Sequence, residues 1–375
     1  MSYKIVKLGE ICDFQGGSQP PKSNFIFEPK KDYIRFIQIR DFKSDKNFTY
    51  IPISKKNNIC KNNDILIGRY GASVGKILTG LSGAYNVALM KTIPNEKIID
   101  KKFLYYYLIS DLFQKPLKKI SERSAQNGFS KDNIYNFSFT LPTLLEQQHI
   151  VAKLDTAFAE IDKTIYTDEQ KILKINLFKQ ALLKCEFNID SKKTTLSKVV
   201  EYDKQNGQGS NLPYIGMENI SGETMKIVGE INVPEKTSST FKFNNSHVLF
   251  GRLRPYLKKV LIPNFEGQCS TEIFCLKPSE KINKNFLAYW LLSPSVSYKI
   301  NNSSTGARMP RANMKELLNY QFPVLSLSKQ QQIVTKIDTA FATIDILKKI
   351  TEKKITDYQS LKLSILSQEI YNKAA

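Results

Sequence analysis

The stretch Ile67-Gly68-Arg69-Tyr70-Gly71-Ala72-Ser73-Val74-Gly75-Lys76 gathers residue types that can cradle a phosphate. Glycines let a backbone turn approach a partner closely, and Arg69 and Lys76 carry the charge to meet an anion there. The stretch is not a P-loop. Gly71 and Gly75 enclose three residues where that motif needs four, and Ile77 replaces its required hydroxyl residue. At an offset of 183 positions, Gly251-Arg252-Leu253-Arg254-Pro255-Tyr256-Leu257-Lys258-Lys259 has lost the turn glycines and kept the basic residues. Both read as a basic turn after a strand. Two uses stay open: nucleic-acid contact through Arg69, Tyr70, Ser73 and Lys76 and through Arg252, Arg254, Tyr256 and Lys258, or an ordinary exposed hairpin.

A second basic, polar loop follows in each half. Arg123-Ser124-Ala125-Gln126-Asn127-Gly128, with Lys131 just beyond, corresponds to Thr305-Gly306-Ala307-Arg308-Met309-Pro310-Arg311. Arg and Gln can make bidentate contacts to guanine and adenine edges, so these loops are candidate base readers; a polar helix-capping loop is the competing reading. Tyr105, Tyr106, Tyr107 and Trp290 could stack on bases, but their helical spacing beside Leu and Phe places them in a core. No catalytic set emerges. The two histidines, His149 and His247, are matched in the other half by Gln332 and Asp64, which argues against a duplicated histidine site or a zinc cluster. Pro94-Asn95-Glu96-Lys97 and Pro278-Ser279-Glu280-Lys281 lack the upstream acidic partner of a nuclease. Neither an Asn-Pro-Pro-Tyr-like run nor a dinucleotide fingerprint is present. No catalytic residue, cofactor site or metal site is therefore expected.

The elements that must position these loops are announced by a repeat. Residues 147–162 (QQHIVAKLDTAFAEID) return at 330–345 (QQQIVTKIDTAFATID), identical at 12 of 16 places. Each copy opens a long helix, expected over about Leu145–Cys185 and Ser328–Tyr371, with Pro142 and Pro323 marking the entries. Val151, Leu154, Phe158, Ile161, Ile165, Ile172 and Ile175 alternate three- and four-residue steps, broken by a polar Asp168. That is the narrow seam of a coiled coil, and forty-odd residues would span about 60–65 Å. Two such helices satisfy each other most economically as an antiparallel pair. The globular segments, about 1–140 and 191–322, read as mixed α/β. Tyr33-Ile34-Arg35-Phe36-Ile37 alternates like a strand, and Phe103–Ile109 fits an aromatic-faced helix.

Composition bounds the rest. With 375 residues and 41% hydrophobic content, the chain can fold into two or more domains. Net charge is +20, which attracts polyanions, DNA or RNA foremost. No apolar run approaches a membrane span and the start lacks a signal peptide. Five cysteines without a CxxC pair suggest reduced thiols in a cytoplasmic protein.

Taken together, Leu141-Pro142-Thr143-Leu144-Leu145-Glu146-Gln147-Gln148, its echo Phe322-Pro323 through Gln330-Gln331-Gln332, and Asp64-Ile65-Leu66-Ile67-Gly68-Arg69 resemble the specificity subunit of type I restriction–modification systems. So do Arg254-Pro255-Tyr256-Leu257-Lys258-Lys259, Ser304-Thr305-Gly306-Ala307-Arg308-Met309-Pro310 and Leu361-Lys362-Leu363-Ser364-Ile365-Leu366, so the resemblance covers the whole chain. One departure is Lys329 in place of Glu146. The resemblance implies an α/β protein with internal pseudo-two-fold symmetry. Target-recognition domains at 1–140 and 191–322 would be joined by an antiparallel coiled coil of a central conserved helix, 141–190, and a C-terminal one, 323–375. Each domain would read one half of a bipartite double-stranded DNA target. The helices would set the spacing and dock two modification subunits, and restriction subunits would complete the complex. It further implies a subunit without chemistry of its own, S-adenosylmethionine and ATP belonging to its partners.

Overall fold

Each long helix begins on a buried glutamine. Gln147 and Gln330 hold equivalent places in the repeat, and neither is exposed to solvent. The Gln147 side chain accepts from the Asp100 backbone N–H at 2.7 Å and donates to the carbonyls of Ile98 and Pro142 at 3.1 and 2.9 Å. Gln330 makes the same three bonds with Asn283, Lys281 and Leu325 at 2.8, 2.9 and 3.0 Å. Two turns on, Asp155 accepts from the Tyr106 hydroxyl at 2.5 Å, and Asp338 accepts from Tyr289. Phe158 and Phe341 meet those tyrosines edge-on, with ring centroids 5.5 and 5.7 Å apart. The repeated segment is therefore the seat on which a globular segment is fixed to its helix. Its near-identity follows from a shared packing problem.

The computed structural model describes residues 4–44, 46–123, 128–235, 239–306 and 308–371, with Arg123 and Tyr371 described by their backbone alone. The chain forms two compact units, Met1–Thr167 with Lys354–Ala375, and Asp168–Lys353. Each holds one globular segment and a portion of both long helices, Leu144–Glu186 and Leu327–Tyr371. These bounds extend the expected ones by a single residue at most ends.

In the first unit, strands Cys12–Gly16, Leu89–Pro94, Leu66–Gly68 and Ile77–Leu78 form an antiparallel sheet in that order. A second sheet orders Tyr50–Pro52, Tyr33–Ile37, Gly83–Tyr85 and Ile59–Cys60, its central pair parallel. The second unit repeats the first sheet with Val200–Asp203, Ile273–Pro278, Val248–Gly251 and Val260–Leu261. Its other sheet is reduced to Tyr214–Ile215, Gly267–Ser270 and Thr240–Phe243, again with one parallel pair. Helices Lys101–Ile109 and Lys284–Leu292 pack on the first sheet of their units, each capped by a side chain, Asp100 or Asn283. Tyr106, Tyr107 and Trp290 are buried there, as their helical spacing predicts. Short ladders, Lys4–Lys7 with Ser138–Leu141 and Lys193–Thr195 with Gln321–Pro323, close each segment beside the start of its helix. The mixed α/β class expected from the sequence is the one observed.

The long helices run antiparallel within each unit. In the first, Lys153 pairs with Glu369 at 2.5 Å and Asp162 with Lys362 at 2.7 Å, while Leu154 and Phe158 share a core with Leu366 and Ile370. In the second, Lys179 pairs with Asp345 and Glu186 with Lys336, and Leu183 shares a core with Ile337 and Phe341. As one residue number rises its partner's falls, which defines the antiparallel sense. Asp168, the polar break in the seam, is buried and bonded to Lys171 at 2.6 Å. The Glu146/Lys329 departure has a local consequence. Thr143 and Glu146 form a reciprocal capping box at 2.9 and 3.4 Å, whereas Ser326 caps the Lys329 N–H at 3.3 Å from one side only.

Candidate nucleic-acid interface

The two basic turns share one backbone. Strand Leu66–Gly68 leads into Arg69 and a 3-10 turn at Gly71–Ser73; strand Val248–Gly251 leads into Arg252 and a 3-10 turn at Pro255–Leu257. Gly71 and Gly75 have φ of 56° and 77°, and the equivalent Arg254 and Lys258 have φ of 51° and 48°. The closing bonds also match: Gly68 N–H to the Lys76 carbonyl at 2.9 Å, and Gly251 N–H to the Lys259 carbonyl at 2.8 Å. The second turn keeps a shape that glycine makes easy while holding two long cationic side chains in it. A left-handed backbone at a residue with a Cβ costs roughly 1–2 kcal/mol. Such strain concentrates where side chains have work to do.

In both units the last residue of the second basic stretch meets this turn. Tyr70 pairs with Gly128 and, at the equivalent register, Leu253 pairs with Arg311. The Arg254 N–H donates to the Pro310 carbonyl at 2.7 Å and the Ala312 N–H to the Arg252 carbonyl at 2.9 Å. The approach requires glycine at 128, where a Cβ would meet the Tyr70 ring at 2.6 Å. Stretches about sixty residues apart in sequence are thus joined, and in the second unit Arg252, Arg254, Arg308 and Arg311 gather there.

The candidate residues occupy distinct positions. Lys76, Arg254, Tyr256 and Arg308 are exposed, and among the described residues no acidic side chain pairs with these three cations. Arg69 and Arg252 are half-buried. Arg69 lies 5.0 Å from the Tyr70 ring and donates to the Phe129 carbonyl at 3.4 Å. Arg252 lies 5.9 Å from the Phe274 ring, and its Nε is buried without a hydrogen-bond partner. Ser73 donates to the Tyr70 carbonyl at 2.6 Å, which shapes the turn. Lys131 stands 3.9 Å from Asp13, a carboxylate held below its usual range first by the Tyr135 hydroxyl and then by the Phe14 N–H. Arg311 is clamped by Glu272, with Nε and Nη2 each 2.8 Å from its carboxylate. Lys258 bonds Glu223 at 2.9 Å and Gln180 at 3.1 Å. The Arg123 side chain and Gln126 lie outside the described residues.

Sequence reasoning did not find Glu223, Gln180 and Glu272, because each lies 35 or more positions from its cation and belongs to no motif. It also left out helix Asp111–Arg123, which faces the glycine turn across a groove of about 590 Å³ lined by Gly71, Gly75, Gln114, Lys115 and Lys118. Gln114 donates to the Gly75 carbonyl at 2.9 Å and so fixes that turn. The histidines do not converge. His247 is buried with Nε2 3.2 Å from Asp203, and His149 is exposed on the first long helix. Among the described residues no three His, Cys, Asp or Glu side chains form a metal-binding group.

Comparison with known proteins agrees with this picture. A family model described as the type I restriction modification DNA specificity domain matches residues 2–172 and again 186–355. The EcoDI specificity subunit of Escherichia coli is 25% identical over 349 residues, spanning 81% of this chain and 76% of its own. A solved chain from work on assembly and conformational transition of the type I R-M system superposes with a TM-score of 0.78 at 17% identity, covering 98% of this chain and 97% of its own. The HsdS subunit of Thermoanaerobacter tengcongensis superposes at 0.56, also at 17% identity, over 98% and 96%. These structures share its fold. No helix among the described residues is long and apolar enough to cross a membrane. With two matched segments that take up most of its length, each carrying the same strand and basic turn, the chain belongs to the type I restriction–modification specificity family and holds two DNA specificity domains in tandem.

Proposed function

We propose that each domain reads one half of a bipartite double-stranded DNA target through its paired basic loops, and that the chain performs no chemistry itself. The observation carrying this reading is the common turn backbone with diverged side chains. One scaffold presents Gly71-Ala72-Ser73 in the first unit and, at the matching places, Arg254-Pro255-Tyr256 in the second, which suits two different half-sites. Exposed Lys76, Arg254 and Arg308 supply phosphate or base contacts, with Arg69 and Arg252 held behind them. The antiparallel helices set the half-site spacing and dock two modification subunits, which bring S-adenosylmethionine; ATP-dependent restriction subunits complete the assembly in the cytoplasm. Docking is supported by a largely apolar groove of about 1300 Å³ between Lys171–Phe178 and Ser328–Thr351, beside exposed Phe178 and Leu347. A patch of that kind on a helix pair fits an amphipathic partner helix.

The test is methylation mapping in cells expressing this chain with its modification subunit, against cells lacking the chain. A gapped adenine motif methylated only when the chain is present is the expected result. Absence of any chain-dependent motif, with both proteins folded and associated, would overturn the reading.

A further inference from the structure

Among the cations of the second basic turn, Lys258 is spoken for. Its Nζ donates to Glu223 Oε1 at 2.9 Å and to Gln180 Oε1 at 3.1 Å, and Gln180 Nε2 donates to the same Glu223 oxygen at 3.3 Å. The three side chains form a closed ring of hydrogen bonds joining the turn, a loop and the first long helix. The backbone tightens it, with the Glu223 N–H donating to the Lys258 carbonyl at 3.0 Å and Gly222 bridging to Lys259. The approach leaves no room at Gly222, where a Cβ would meet the Leu257 carbonyl at 2.6 Å. Lys258 and Glu223 both hold left-handed backbone, with φ of 48° and 63°. The Lys258 side chain is 18% exposed, against 53% for that of Glu223. Among the described residues of the first unit no such ring is found: Gly75 stands where the second unit has Lys258, and Gln114 fixes the turn instead.

The geometry points to Lys258 as a positioning residue: with Glu223 and Gln180 it anchors the second recognition turn to the long helix, and it does not contact DNA. The inference rests on the DNA-reading role proposed above. Its chemical logic is that a cation already neutralised by a carboxylate releases no counterion from a phosphate. What it contributes is the placement of Arg252, Arg254 and Tyr256, which share its turn.

A phosphate contact and an anchor make opposite predictions at Glu223. If Lys258 met a phosphate, Glu223→Ala would free it and remove a repelling charge, so DNA binding would tighten. If Lys258 is an anchor, Glu223→Ala, Gln180→Ala and Lys258→Gly all weaken binding. Glycine accepts the left-handed backbone at 258, so that variant keeps the turn foldable. The experiment measures affinity of the full chain, assembled with its modification subunits, for a duplex carrying the motif found by methylation mapping, across a salt series. Glu223→Ala and Lys258→Gly are each expected to weaken binding about ten-fold, the usual effect of losing a charged hydrogen bond. The dependence of log affinity on log salt should stay as in the wild type, and discrimination should loosen at one half-site only. Tighter binding by Glu223→Ala, a salt slope shallower by about one for Lys258→Gly, or unchanged affinity in both would overturn the assignment. Failure of the wild-type chain to bind the duplex would instead sink the DNA-reading role itself.

Discussion

Single residues on the basic face are separable by what surrounds their Cβ. At Gly71 an added Cβ meets nothing within 4 Å, so Gly71→Ala should cost only the left-handed backbone, roughly 1–2 kcal/mol. At Gly68 the Cβ would stand 2.2 Å from the Ser73 carbonyl oxygen, and Gly68→Ala should unfold or rebuild the turn. Thermal denaturation of the two variants distinguishes these outcomes. Arg254→Gly runs the other way. Relief of the strained backbone and the added freedom of the unfolded chain are of similar size and opposite sign, so stability should stay within about 1 kcal/mol. DNA affinity should fall, with the salt slope reduced by about one if the guanidinium meets a phosphate. A loss of stability that matches the loss of binding would show that Arg254 serves the fold. The thiols behave as a residue-scale control. Burial pushes Cys12 up to about 12 and Cys60 up to about 11, and Cys269 and Cys275 are also buried. A thiol-reactive chromophore at neutral pH should therefore label Cys185 fast in the native protein and all five cysteines after denaturation.

At the scale of elements, the glutamine seats hold each globular segment to its helix. Gln147→Ala removes three hydrogen bonds from a fully buried site and strands the Asp100 N–H with two carbonyls, a loss of about 3 kcal/mol by the cost of unsatisfied buried groups. Gln330→Ala should match it, because the partners are equivalent. Tyr106→Phe is milder, about 1 kcal/mol, since Asp155 keeps its ion pair with Lys102 at 2.6 Å. In the helix seam, Leu366 is 3% exposed, and Leu366→Ala should cost about 2–5 kcal/mol through the cavity it leaves. Denaturant midpoints for the four variants check this ordering, and a Gln147→Ala effect below that of Tyr106→Phe would contradict the seat.

For the whole molecule, the division into two units with separate cores implies separable recognition. Arg69→Ala and Arg252→Ala should each weaken binding to one half-site more than they disturb folding, and their free-energy effects should add, since they share no partner. Competition assays with duplexes altered at one half-site at a time provide the measurement. Equal loss at both half-sites, with unchanged melting, would place the arginines in general backbone attraction and remove them from half-site reading.

The duplication, the two long helices and their polar interruption were legible in the residue order because helices are local: a 3.6-residue period and a repeated run fix them without knowledge of the rest of the chain. The buried aromatic faces at Tyr106, Tyr107 and Trp290 followed from the same periodicity. The basic stretches were also visible, yet only as separate loops. Tertiary structure joined Tyr70 to Gly128 and Leu253 to Arg311, since hydrogen bonds across some sixty residues leave no periodic trace. It also revealed that Arg254 and Lys258 hold the left-handed backbone of Gly71 and Gly75, which the loss of the glycines from the sequence did not disclose. Charge in the sequence counted Lys258 and Arg311 as cations free for DNA. Folding placed Glu223 and Glu272 beside them, because a side chain's partner is set by where the chain returns in space.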